Sequence, residues 1–238
     1  MSPQLEEGLR RSGPVHRQST LQMNPPAGMS NLSVTRCFRV KRAVPEDTFR
    51  NCRNRAMSLP VNCWMVGDHR DVIIIDASGE PETIAAVVGD RRVTAVICTQ
   101  GSHAHTAAAV DVAWTLCAPV LLHPADHALW EGVHNQDRYW RLEDGQRITV
   151  AGEQLHVVHT PAPTAGSVSL HFPNLKGLFT GDSLGPHCGP RAHRATPYPG
   201  STFLSALPPD TCVYPGHGAS FLLGEISSPT DRWVRHSA

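Results

Sequence analysis

Apolar runs that end on polar, chemistry-bearing loops constrain this chain more than any other feature. Val72-Ile73-Ile74-Ile75 ends in Asp76, and Val93–Cys98 runs into Thr99-Gln100-Gly101-Ser102-His103-Ala104-His105. Leu155–His159 leads into Thr160-Pro161-Ala162-Pro163-Thr164, Gly177–Thr180 into Gly181-Asp182, and Thr211–Tyr214 into Pro215-Gly216-His217-Gly218. Short apolar runs bounded by turn residues read as buried strands. Helix patterns separate the early ones: Glu82–Val88 after Pro81, where proline suits a first turn, then the Ala-rich Thr106–Leu116 and, past a strand at Pro119–Leu122, Pro124–Trp130. The later segments pair as hairpins, with Ile148–Val150 and Leu155–His159 around Ala151-Gly152-Glu153, and Val168–Phe172 and Gly177–Thr180 around Pro173-Asn174. A β-α-β-α-β half followed by hairpins predicts an α/β fold of two sheets with helices outside. Strand ends then carry the loops to one cleft, where the site of such a fold belongs.

At 238 residues the chain is long enough to bury a core without disulfides or a structural metal. Its seven cysteines form no Cys-x-x-Cys, which reads as scattered thiols in a reducing compartment and predicts a cytoplasmic location. Its 21 basic and 21 acidic residues cancel, arguing against nucleic-acid or anionic-membrane binding, and no apolar run reaches membrane-spanning length. The charge is uneven: residues 1–60 carry ten Arg or Lys against four Asp or Glu, and residues 61–238 carry eleven against seventeen. Residues 1–30, basic and proline-rich without sustained periodicity, are expected to be a flexible tail, and residues 31–238 a single domain opening with a strand near 32–41.

The loop segments bring His and Asp, the nitrogen and oxygen ligands that zinc and iron accept, to neighbouring strand ends. Taken with Asn62-Cys63-Trp64-Met65-Val66 and Ile73-Ile74-Ile75-Asp76-Ala77, the segments His159-Thr160-Pro161…Gly166-Ser167, Phe179-Thr180-Gly181-Asp182 and Pro215-Gly216-His217-Gly218 resemble the metallo-β-lactamase superfamily, and within it the glyoxalase-II-like hydrolases. The resemblance runs in order from about residue 61 to 218. It implies an αββα four-layer sandwich, a site at one edge of the two sheets, and hydrolysis of a small-molecule thioester or related conjugate.

The departures from the family pattern are as informative. The family's His-x-His-x-Asp-His motif falls here on Gln100, Ser102, Ala104 and His105, and its later ligand His falls on Pro163. By resemblance, positions 100, 102 and 163 would serve a first metal, and 104, 105, 182 and 217 a second. The set that survives is His105, Asp182 and His217. Alanine and proline side chains offer no donor atom, and serine and glutamine are weak zinc ligands, so a two-metal centre is not expected. One zinc or iron ion at most is implied, with a metal-free His–Asp network as the alternative. In a one-ion mechanism His103 is the spare imidazole for proton transfer.

Two functions therefore compete: an altered hydrolase with a mononuclear site, and a non-catalytic member that keeps the sandwich as a binding module. A nucleic-acid role through the basic leader is a third and weaker idea. Asp76 reads as a turn or hydrogen-bonding residue, His159 as strand-end packing, and His123, His127 and His134 as solvated or capping groups. Cys63, Cys98 and Cys117 read as small core residues, Gly101 and Gly166 as tight-turn positions, and His187, Cys188 and His193 as loop residues. No helix is legible before Pro208-Pro209.

Overall fold

In β4 (Asp71–Ile75) successive side chains point to opposite faces, as the period of a strand requires: Ile73 and Ile75 enter one buried cluster, Val72 and Ile74 another. That split is the plan of the whole molecule, seen in a computed structural model that describes residues 22–23, 32–39, 61–184 and 199–225. One sheet is ordered β1 (Gln22–Met23), β2 (Ser33–Arg39), β3 (Asn62–Gly67), β4, β5 (Arg92–Ile97), β6 (Val120–Leu122), β7 (Trp140–Arg141). The second runs β13 (Phe221–Leu222), β12 (Cys212–Pro215), β11 (Gly177–Gly181), β10 (Val168–Phe172), β9 (Glu153–His159), β8 (Arg147–Val150).

The cluster between the sheets joins Ile73, Ile75, Ile97 and Trp64 to Leu155, Leu170, Phe179 and Tyr214. On the outer face of the first sheet, α1 (Pro81–Val88), α3 (Ala109–Thr115) and α4 (His127–His134) bury Ile84, Val112 and Trp130 against Ile74 and Val96. On the outer face of the second, Leu204 of α5 (Pro199–Ser205) packs on Leu178 and Val213. The layers are thus α, β, β, α, as expected from the resemblance. Strands β4 to β7 pair in parallel, so their C-terminal ends share one edge. That edge is stitched to the other sheet by Val168 N–H on Thr99 O (2.8 Å), Asn62 N–H on Gly216 O (2.7 Å) and the Trp64 indole on Pro215 O (3.1 Å).

Several expectations need correction. The helix read over Thr106–Leu116 starts earlier and breaks, into α2 (His103–Thr106) and α3; the Thr106 hydroxyl donates back to Ser102 O (3.1 Å), a bond that loosens a helical turn. Helix α5 exists where none was legible, seated by Leu204 on the sheet. Cys117 is exposed just past α3 with φ 52°, while Cys63 and Cys98 are buried as expected. Within the 1–30 segment, Gln22–Met23 pairs with β2, and the rest of that segment lies outside the described residues, as do His187, Cys188 and His193.

His171 gives the fold an acid-sensitive point. It faces α5, with its ring 5.3 Å from that of Phe203 and 6.1 Å from that of His156, its cross-strand partner. It is 8% exposed, and its buried Nδ1 has no hydrogen-bond partner among the described residues. Burial, and secondarily His156, push its pKa from the ordinary 6.5 down to about 4. The unfolded chain therefore binds this proton more readily. The stability contribution is complete above pH 6.5 and is lost as pH falls toward 4. His171→Leu is expected to remove about 2 kcal/mol of the stability difference between neutral and acid solution, read from urea midpoints at several pH values. An unchanged pH slope in the variant would contradict this.

Candidate metal centre

The centre starts where β4 ends. Asp76 turns the chain in the left-handed region, φ 53°, which short polar residues tolerate. Its carboxylate accepts the Thr99 backbone N–H (2.8 Å) and the Thr99 hydroxyl (2.8 Å to Oδ2), tying β4 to the end of β5. The same Oδ2 lies 2.9 Å from His105 Nδ1, an ion-pair contact outside good hydrogen-bond geometry. His105, on α2, is fully buried, and its other nitrogen, Nε2, is 3.1 Å from Asp182 Oδ2. Asp182 follows Gly181, whose φ of 49° and whose position leave no room for a side chain: a Cβ there would stand 2.2 Å from Thr99 Oγ1. His217, past β12, brings Nε2 to 3.3 Å from Asp182 Oδ1, and its ring lies 5.6 Å from that of His105 at 85°. One donor atom each from His105, Asp182 and His217 can be chosen so that all lie within 4.8 Å of one another.

Electrostatics binds these groups together. Burial alone would lower the His105 pKa, but the Asp182 and Asp76 carboxylates outweigh it and push it up to about 10. Burial likewise opposes ionisation of Asp182, yet His105 and His217 hold its carboxyl well below the usual carboxylate range. The geometry gives the reason. With Asp76 behind Nδ1, Nε2 and Asp182 Oδ2 would be two lone pairs facing each other at 3.1 Å unless a positive charge lies between them. A proton on Nε2 meets that need.

The positions that depart from the family pattern are placed unevenly. Gln100 is 2% exposed and reaches the centre, its Nε2 donating to Asp182 Oδ2 at 2.7 Å. Ser102 is half-buried at the N-cap of α2, with no side-chain capping bond. Ala104 and Pro163 are exposed. His103 is exposed in the first turn of α2, outside the converging trio. His123 caps the short helical turn at Pro124–Asp126 by accepting from Ala125 N–H (3.3 Å), and it stacks on His159 at 4.2 Å.

One organising residue escaped sequence reasoning. Asp126 is 1% exposed and accepts the Gly101 N–H (2.7 Å), the Gly166 N–H (2.7 Å) and the Thr164 hydroxyl (2.6 Å). It clamps the loop carrying Gln100 to the loop carrying Pro163. Gly101 and Gly166 are glycines because a Cβ at either would lie under 3 Å from Asp126, which is close approach and not the tight-turn role expected of them. No local pattern marks Asp126; its role exists only once three loops meet.

Residues 57–217 match the family described as "Metallo-beta-lactamase superfamily". The chain belongs to the metallo-β-lactamase superfamily. Among its relatives, hydroxyacylglutathione hydrolases from Fuscovulum blasticum and Brucella anthropi are 35% identical over 100 residues and 41% identical over 80 residues. Those matches cover 40% and 32% of this chain, and 34% and 30% of the relatives, so it spans about a third of their length. The structure of TTHA1623, solved in a di-iron-bound form, superposes with a TM-score of 0.58 at 27% identity, covering 71% of this chain and 94% of that one. Over part of its length, this member of the superfamily is thus similar to hydroxyacylglutathione hydrolases.

Do its residues fit the metals that the superfamily implies? Two ions do not fit. Gln100 turns an N–H, not a lone pair, toward Asp182, and Ala104 and Pro163 have no donor atom. One ion does fit. His105, Asp182 and His217 supply two imidazoles and a carboxylate, Asp76 backs His105 as second-sphere carboxylates do, and Gly216 keeps the space clear, since a Cβ there would come within 2.7 Å of Asp182 Oδ1 and His105 Cε1.

Proposed function

We propose that this chain is a glyoxalase-II-like hydrolase of a small-molecule thioester or related acyl conjugate, holding a single zinc or iron ion on His105, Asp182 and His217. The observation that carries the reading is the convergence of those three donors with Asp76 directly behind His105. When bound, such an ion supplies Lewis acidity and lowers the pKa of water. The protein's own part is to present the site. The Asp76 carboxylate, 2.9 Å from His105 Nδ1, favours positive charge there, and Nε2 faces inward toward Asp182. Thr99 anchors Asp76, and Asp182 spans the two imidazoles. His103, exposed at the start of α2, is the proposed proton shuttle, because Ala104 stands where relatives place a carboxylate. Proton transfer then lacks its usual partner, and turnover is expected to be slow.

A second reading has its own support. Asp182 already takes donors from Gln100, His105 and His217, so the cluster also satisfies itself as a metal-free network. On that reading the sandwich is a non-catalytic binding module. The test is metal analysis of untagged protein, followed by thiol release from acyl-thioester substrates. One equivalent of zinc or iron and chelator-sensitive cleavage are expected. Absence of both would sink the hydrolase reading in favour of the binding module.

The proposal includes a small-molecule substrate and no nucleic-acid partner, the latter argued from the balanced charge of the chain. The five described cysteines are free thiols, as expected in the proposed cytoplasmic setting. Among the described residues no helix is long and apolar enough to cross a membrane.

A further inference from the structure

We propose that Gln100 stands in for the missing first metal: its amide N–H takes the place of a cation on Asp182 Oδ2, closing that position to metal and keeping the cleft in shape without it. The contact is short, 2.7 Å, and the side chain that makes it is 2% exposed. An amide nitrogen has no lone pair to give a metal, so an ion cannot share this side of the carboxylate with it.

The backbone is held on both sides of Gln100. On one side Thr99 is held by Asp76 through its N–H and hydroxyl, and by Val168 N–H on its carbonyl. On the other side the Gly101 N–H is held by Asp126. With both neighbours pinned, the side chain is directed at Asp182. The orientation of the amide is equally constrained, since reversing it would set Oε1 against the Asp182 carboxylate. Oε1 is left buried without a hydrogen-bond partner among the described residues, a cost accepted so that the N–H side meets Asp182. The opposite side of Asp182, toward His217 and Gly216, is where a single ion has room.

The inference deepens the one-ion reading and rests on its placement of the family's ligand positions, but the two fail separately. The experiment uses the full chain as wild type, Gln100→Ala and Gln100→Glu. Zinc stoichiometry is read by native mass spectrometry, and thermal midpoints are taken in chelator and with added zinc. Wild type is expected to take no more than one zinc in excess metal. In chelator, Gln100→Ala should melt about 4 °C lower or more, because a half-buried carboxylate loses a charge-assisted donor. Gln100→Glu, with two carboxylates face to face, should fall further and regain most of the deficit when zinc is added. If Gln100→Ala folds poorly, the Gln100→Glu comparison with and without zinc decides alone. A second zinc on wild type, or a Gln100→Ala midpoint in chelator equal to wild type, would overturn the proposal. No zinc on wild type together with the expected losses in chelator would remove the one-ion reading and leave the role of Gln100 standing.

Discussion

Asp126→Ala is expected to destabilise the fold by about 4 kcal/mol, among the largest effects of any single substitution outside the central core. The residue touches no proposed ligand. It is 1% exposed and accepts two backbone N–H groups, from Gly101 and Gly166, and the Thr164 hydroxyl. Removing the carboxylate leaves three donors without their acceptor and opens a void where two glycines had made room. Asp126→Asn keeps the volume but turns an NH2 toward groups that are themselves donors, and should cost about 2 kcal/mol. The loops that carry Gln100 and Pro163 should loosen together, visible as faster amide exchange at residues 99–102 and 164–167 before global unfolding. Exchange confined to one loop, or a urea midpoint near that of wild type, would show that the clamp is not what holds them.

Much of the architecture could be read in advance because it rests on local pattern. Val72-Ile73-Ile74-Ile75 had to be a strand buried on both faces, and the order of helices and hairpins had to give two covered sheets. The converging trio was legible for a related reason: Asp182 and His217 sit one or two residues beyond an apolar strand, and His105 lies eight residues past Ile97, in the loop and short helix that follow β5. What could not be read depends on long-range convergence. Asp126 is an ordinary aspartate after Pro124 until three loops meet around it. Gln100 is a lost ligand in sequence, and only the 2.7 Å contact to Asp182 makes it a donor with a role. The break between α2 and α3 hides in an alanine-rich run because it follows from the back-bond of Thr106 and not from helix propensity.

Restoring the lost ligands tests this account of the site most severely. The variant carrying Gln100→His, Ser102→His, Ala104→Asp and Pro163→His together is expected to bind two equivalents of zinc and to hydrolyse thioesters roughly a hundredfold faster than wild type or more. The frame is intact: Asp76 backs His105, Asp182 lies between both surviving imidazoles, and Asp126 holds the two loops that would carry the new histidines in register. His at position 100 would exchange the amide N–H on Asp182 for a lone pair, and Asp at position 104 would restore a carboxylate able to orient water. Order matters among the partial variants. Ser102→His and Pro163→His without the change at 100 should gain little metal, because the Gln100 N–H still occupies Asp182 Oδ2. Adding Gln100→His should bring the second equivalent, and adding Ala104→Asp the rate. A second equivalent that appears with Gln100 still in place would mean that the departed ligands, and not the glutamine, set the metal count. A quadruple variant that takes up two zinc ions and stays inactive would place the loss of function in the substrate cleft and not in the coordination sphere.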